Sequence, residues 1–111
     1  MIKELQRIIH VPETGILDET TIDKATHMSN ETGVITWLQK FLNSLDHEFK
    51  VGRVKKIDDS GYLAILTGEM DRGTRELLTY FQKEYWKYKR IPVTAKLDRP
   101  TWELIAAYLN K

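Results

Sequence analysis

Apolar residues recur at helical spacing along most of the chain. The spacing predicts five helices, over residues 2 to about 10, 21 to about 28, 34 to 45, about 72 to 89, and a last one with Pro100 near its start. Polar and charged residues occupy the intervening positions, so each helix has one apolar face. The pattern indicates a mainly α-helical protein.

The periodicity changes between residues 47 and 66. Phe49, Val51 and Arg53 begin an alternating segment. Residues 58–61, Asp-Asp-Ser-Gly, are typical of a turn, and residues 62–66 have the composition of a second strand. We therefore predict a β-hairpin inserted between two helices at about residues 47–66.

A short motif occurs three times. It reads Thr, Gly or Ala, any residue, Leu or Met, Asp, two variable residues and Thr, and its copies are residues 14–21, 67–74 and 94–101. Glycine accepts the backbone angles of a tight turn, and a carboxylate before a helix accepts hydrogen bonds from the free N–H groups of its first turn. This capping motif therefore predicts helix starts, with N-caps at Asp18, Asp71 and Asp98. Catalytic carboxylates are the other interpretation, but recurrence once per copy favours capping.

A second pattern is interleaved with the first. An apolar residue followed by glutamine lies on the helix before each capping motif, as Leu5-Gln6, Leu38-Gln39 and Phe81-Gln82. This alternation resembles the peptidoglycan-binding domain family, small three-helix modules found beside bacterial cell-wall hydrolases. The best matches are residues 11–21 and 91–101. Departures from the family pattern are Ala95 in place of Gly, the predicted hairpin and a polar break at residues 29–33.

The resemblance covers most of the chain outside residues 46–66 and implies a fold and a function. Together with the chain length and the predicted hairpin, it predicts a single domain over residues 1–111, a small helical bundle with internal repeats and an inserted hairpin. The function would be non-catalytic binding of peptidoglycan, through its glycan or its stem peptide, without a cofactor or metal. The implied partners are the wall itself and a cell-wall hydrolase or a phage structural protein.

Composition narrows the alternatives. The formal net charge is +1, which argues against an overall electrostatic attraction to nucleic acid or an anionic membrane. There are no cysteines, which excludes thiolate chemistry. We expect no signal peptide or membrane span, which leaves the location open and fits a phage-encoded or prophage-encoded protein or an excised module. The three histidines lack zinc-type spacing, and no nucleophile elbow or phosphate loop occurs.

Four aromatic residues are the first candidate ligand-binding residues. Trp86 and Tyr80 lie off the apolar stripe of the long helix, Trp37 lies at the edge of its own stripe, and Tyr62 begins the second predicted strand. Exposed aromatic faces bind sugar rings and peptides well. Packing beneath a neighbouring loop or hairpin is the alternative interpretation for each of the four.

Basic residues around the long helix are the second candidates. Arg72, with Lys87, Lys89 and Arg90, offers positive charge to stem-peptide carboxylates or wall phosphates. A solvated surface is the alternative. Two other functions stay open at this level: a protein–protein adaptor that pairs through a hairpin edge, and a small wall-degrading enzyme with an unrecognised carboxylate pair.

Overall fold

A computed structural model describes residues 1–45 and 67–110. The predicted hairpin at residues 47–66, and with it the candidate Tyr62, lies outside these ranges. The described chain forms five helices: α1 (Ile2–Ile8), α2 (Glu19–His27), α3 (Thr32–Ser44), α4 (Arg72–Glu84) and α5 (Arg99–Leu109). The prediction of a mainly helical bundle is confirmed for these residues.

The helix starts follow the capping motifs. Asp18, Asp71 and Asp98 are the N-caps of α2, α4 and α5, and each carboxylate accepts the backbone N–H of the threonine three residues later. Pro100 lies in the first turn of α5, where a missing N–H leaves no helical bond unmade. Each side-chain cap stabilises its helix by about 1 kcal/mol.

The end of α4 differs from the prediction. The helix ends at Glu84, short of Lys89, and Tyr85 has left helical geometry with φ −101° and ψ 22°. Tyr85 and Tyr88 both pack on the ring of Tyr108 in α5, at centroid distances of 5.4 and 5.2 Å. Tyr85 and Tyr88 are three residues apart and would also share one face of a continued helix, so their spacing does not mark the end of α4.

The core lies around α3. This helix packs against α1 and α4, while α2 packs against α5. The indole of Trp37 stacks between Phe41 and Trp102, with ring centroids 5.7 Å from each. Phe41 then meets Phe81 edge-on at 5.3 Å. One aromatic column therefore joins α3, α4 and α5.

Polar groups inside this core are all paired. Among the described residues, every buried side-chain nitrogen or oxygen has a hydrogen-bond partner. The indole N–H of Trp102 donates to Ser29 Oγ at 2.9 Å, and that of Trp37 donates to the Met1 carbonyl at 2.9 Å. Both tryptophans are therefore structural anchors with fixed orientations.

Candidate ligand-binding groove

The capping motifs are held by buried glutamines. Gln6 in α1 is completely buried, and its amide nitrogen donates to Thr14 Oγ1, the Ile16 carbonyl and Thr21 Oγ1 at 3.0, 2.9 and 3.1 Å. Its amide oxygen accepts the backbone N–H of Gly15 at 3.0 Å. One side chain therefore ties a helix to both ends of the motif that follows.

The other two glutamines make equivalent bonds. Gln39 in α3 donates to Thr67 Oγ1, the Glu69 carbonyl and Thr74 Oγ1, and accepts from Gly68 N. The same set joins Gln82 in α4 to the third motif, where its partners are the following residues: Thr94, Ala95, Lys96 and Thr101. We call each such set a glutamine clasp.

The clasps determine the backbone of the turns. The residue that donates to the glutamine oxygen has positive φ in each copy: 79° at Gly15, 74° at Gly68 and 59° at Ala95. This left-handed conformation suits glycine and costs roughly 1–2 kcal/mol for other residues. Ala95 therefore sits at a strained position that the clasp of Gln82 maintains.

The N-cap carboxylates are tuned by the same threonines. The pKa of Asp18 lies below its ordinary value because the hydroxyl and the backbone N–H of Thr21 both donate to it. Burial raises the pKa of Asp71 and Asp98, but hydrogen bonds from the motif threonines outweigh it, so these values are also lowered. All three stay ionised at neutral pH, which suits capping and gives none of them the raised pKa of a general acid.

The predicted site residues have different surroundings. Trp86 is 58% exposed, and the guanidinium of Arg90 lies 5.6 Å from its ring centroid. Tyr80 is half-buried against the core. Arg72 is exposed and pairs with Glu76 at 3.1 Å.

Trp37 corrects the sequence interpretation. Its side chain is only 1% exposed, because the stacking described above places the ring inside the core. It is therefore not available to a ligand in this fold. Tyr85 and Trp102 are buried in the core, whereas Tyr88 is only partly buried.

A surface groove lies elsewhere, between the second and third capping motifs. Its volume is about 460 Å³, and its walls come from the end of α2 (Thr26, Ser29 and Asn30), from Met70 and Arg75, and from residues 95–99. Pockets of roughly 300–1,000 Å³ are typical of small-ligand sites. Met70, Leu97 and Ala95 make one part of the lining apolar, beside polar and cationic side chains.

The three basic side chains that line this groove differ in how far they are already paired. Arg99 is held by three carboxylates, from Glu19 and Asp23 of α2 and from Glu103. Lys96 is exposed and makes no ion pair with any described residue, and one nitrogen of Arg75 donates to the Met70 carbonyl. Lys96 and Arg75 are therefore the cations with spare hydrogen-bonding capacity.

A second, shallower groove lies on the outer face of α2. It has a volume of about 430 Å³ and is lined by Val11, Thr20, Asp23, Lys24 and His27. Across the described ranges, no three His, Cys, Asp or Glu side chains are grouped as metal ligands would be. Asp23 is paired with Arg99.

Similarity to known proteins was compared at the level of families, curated proteins and solved structures. Comparisons of the chain with protein-family models, with curated proteins and with solved structures find no match. Among the helices that the structure describes, none is long and apolar enough to cross a membrane.

Sequence reasoning missed the residues of the groove. Asn30, Arg75 and Lys96 lie on three separate segments that only the fold brings together. One signal was present: Lys96 occupies the variable third position of a capping motif, and this position is exposed in all three copies. Ile16 and Glu69 at the same position are exposed as well.

Proposed function

We propose that this chain is a non-catalytic module that binds bacterial peptidoglycan. In this proposal residues 1–111 form one domain with three internal repeats, each a glutamine-bearing helix, a capping motif and the helix that it starts. Helix α4 serves two of the repeats. The hairpin at residues 47–66 is an insertion in the second repeat.

The observation that carries the proposal is the glutamine clasp. The resemblance to peptidoglycan-binding domains rests on two sequence features, the apolar-Gln pair and the Thr-Gly-x-Leu-Asp-x-x-Thr motif. Both features are parts of one hydrogen-bonded unit, which occurs at Gln6, Gln39 and Gln82. Because the glutamine and the capping motif bind each other, their joint occurrence in three copies is poorly explained by chance resemblance between two short motifs.

The groove supplies a place for the ligand. Its apolar lining and its polar rim suit a segment of glycan or stem peptide held without covalent chemistry. Such a module would act beside a hydrolase or a phage structural protein, because tethering raises the effective concentration of its partner at the wall. Trp86 remains a proposed second contact, since its ring is exposed.

Retention on purified sacculi tests the function. We expect the chain to sediment with sacculi at low salt, and the Lys96→Ala and Trp86→Ala variants to be retained less. Lys83→Ala is the matched control, since Lys83 is exposed on α4 and does not line the groove. No retention at low salt would overturn the proposal and favour an adaptor, and release of soluble muropeptides would show an enzyme instead.

A further inference from the structure

The groove between the second and third capping motifs has the chemistry of a carboxylate-binding site. Lys96 is exposed and lacks an ion pair within the described residues, and Arg75 has guanidinium N–H groups left after its bond to the Met70 carbonyl. Two cations that line one groove and form no ion pair with a described residue attract an anion, although Asp71 lies near enough to Arg75 for their charges to interact. Arg99, by contrast, is already satisfied by Glu19, Asp23 and Glu103.

One acidic side chain lines the same groove. Among the described lining residues the carboxylate is that of Asp98, and both of its oxygens accept hydrogen bonds. Its Oδ1 accepts the hydroxyl of Thr101 at 2.6 Å, and its Oδ2 accepts that of Thr94 at 2.9 Å. These neutral donors leave its negative charge in place, but Lys96 and Arg75 outnumber it, so the charge of the lining stays positive.

The rest of the lining fits a peptide better than a bare anion. The side chain of Asn30 is exposed and makes no hydrogen bond to a described residue, so it offers a donor and an acceptor of the kind a peptide group requires. Met70, Leu97 and Ala95 provide apolar surface for small side chains. Thr26 and Ser29 donate their hydroxyls to helix carbonyls and are less available.

We propose that this groove binds the carboxyl terminus of a peptidoglycan stem peptide, with Lys96 and Arg75 holding the carboxylate and Asn30 pairing with the preceding peptide group. The inference rests on the proposed function and specifies it, because it assigns recognition to the stem peptide rather than to the glycan. A free terminal carboxylate is the group recognised, so the site would distinguish uncrosslinked stems from those whose terminus is joined to a neighbour.

The test is calorimetric titration of the full chain with a synthetic acetylated stem peptide ending in D-alanyl-D-alanine, as the free acid and as the C-terminal amide. We expect the free acid to bind and the amide to bind at least about tenfold more weakly, because the amide cannot form the charge-assisted contact. Lys96→Met should weaken binding of the acid by a similar factor, and the matched Lys83→Met should leave it unchanged. Equal binding of acid and amide would overturn the carboxylate assignment.

The outcome separates this inference from the proposed function. A chain that is retained on sacculi but binds neither peptide would overturn the groove assignment and leave peptidoglycan binding standing. A chain that binds the free acid but is not retained on sacculi would overturn the proposed function alone. Unfolding midpoints of both lysine variants should match the parent chain, because both side chains are exposed.

Discussion

The carboxamide of Asn110 forms two hydrogen bonds with the backbone of Leu17. Its Oδ1 accepts the Leu17 N–H at 3.2 Å, and its Nδ2 donates to the Leu17 carbonyl at 3.0 Å. The pair joins the residue after α5 to the buried leucine of the first capping motif. One side chain therefore ties the C-terminal end of α5 to the segment that starts α2.

Removing that side chain should destabilise the fold. In Asn110→Ala the backbone N–H and C=O of Leu17 lose their partners, and we expect a loss of about 1–3 kcal/mol in the free energy of unfolding. Urea denaturation followed by circular dichroism measures it. Asn30→Ala is the matched control and should change stability by less than about 0.5 kcal/mol, since Asn30 is exposed. Equal stability of both variants would show that the Asn110 bonds contribute nothing.

The glutamine clasps make a sharper prediction at Gln39. The hydroxyls of Thr67 and Thr74 both donate to Asp71, so they can only accept from Gln39, and its buried nitrogen must be a donor. Gln39→Glu replaces that nitrogen with an oxygen facing three acceptors.

We expect Gln39→Glu to reduce stability by about 3 kcal/mol or more at neutral pH, and Gln39→Met, which lacks the repulsion, to cost less. Denaturant unfolding of both variants at equal concentration measures the difference. If the Glu variant proved as stable as the parent, the amide orientation described above would be wrong.

The two glycines at left-handed turn positions predict unequal costs of substitution by alanine. A Cβ at Gly68 would lie 2.4 Å from the Cγ2 of Thr32, whereas one at Gly15 would meet only the flexible side chain of Lys3 at 3.3 Å. We expect Gly68→Ala to cost more than 2 kcal/mol and Gly15→Ala about 1 kcal/mol. Thermal unfolding of the two variants gives the order, which the contact at Thr32 determines.

Ala95 is the reverse case. Its φ of 59° is unfavourable for a side chain. Ala95→Gly should raise the free energy of unfolding by about 0.5–1 kcal/mol, after the greater flexibility of glycine in the unfolded chain is subtracted. The melting temperature of this single variant checks it, and a decrease would mean that the alanine methyl contributes more through packing than it costs in strain.

The N-cap aspartates predict how stability depends on pH. Their pKa values are lower in the folded chain than in the unfolded one, because the motif threonines donate to the ionised form. Between the folded and unfolded pKa values the unfolded chain therefore binds more protons, and the free energy of unfolding rises with pH. The stability that the three ionised caps contribute is fully present above the unfolded pKa of about 3.9. It is lost as pH falls through the folded pKa values.

A triple variant isolates this effect. Asn caps helices about as well as Asp but does not titrate, so Asp18→Asn, Asp71→Asn and Asp98→Asn together should flatten the loss of stability below about pH 4. Urea midpoints measured from neutral pH down to about pH 2.5 give the comparison. Parallel curves for the parent and the variant would attribute the acid sensitivity to other carboxylates.

Local signals in the sequence predicted the helix starts well. Asp18, Asp71 and Asp98 cap helices because capping depends on a few adjacent residues. The end of α4 was predicted too late, because Tyr85 and Tyr88 keep the spacing of one helical face after the helix has ended. Trp37 was placed at the edge of its stripe because its stacking partner Trp102 belongs to another helix, which the local pattern does not show.

The recurring glutamines show the same limit. Their spacing before each capping motif is visible in the sequence. Their role is not, because they bind residues distant in sequence, as Gln39 binds Thr74. The groove was missed entirely, since Asn30, Arg75 and Lys96 share no local pattern. Whether the candidates outside the groove bind a ligand stays a prediction.

The clasp at Gln39 has a consequence for how the chain can be altered. It fixes Thr67 and Gly68 against α3 through bonds of 3.1 and 3.0 Å. The start of the second motif is thus positioned directly by α3. A sequence inserted immediately before Thr67 should therefore leave the N-cap of α4 in place. Because doubling the length of a flexible connection costs only about 0.6 kcal/mol in closure entropy, this junction suits the grafting of a foreign flexible segment onto the scaffold.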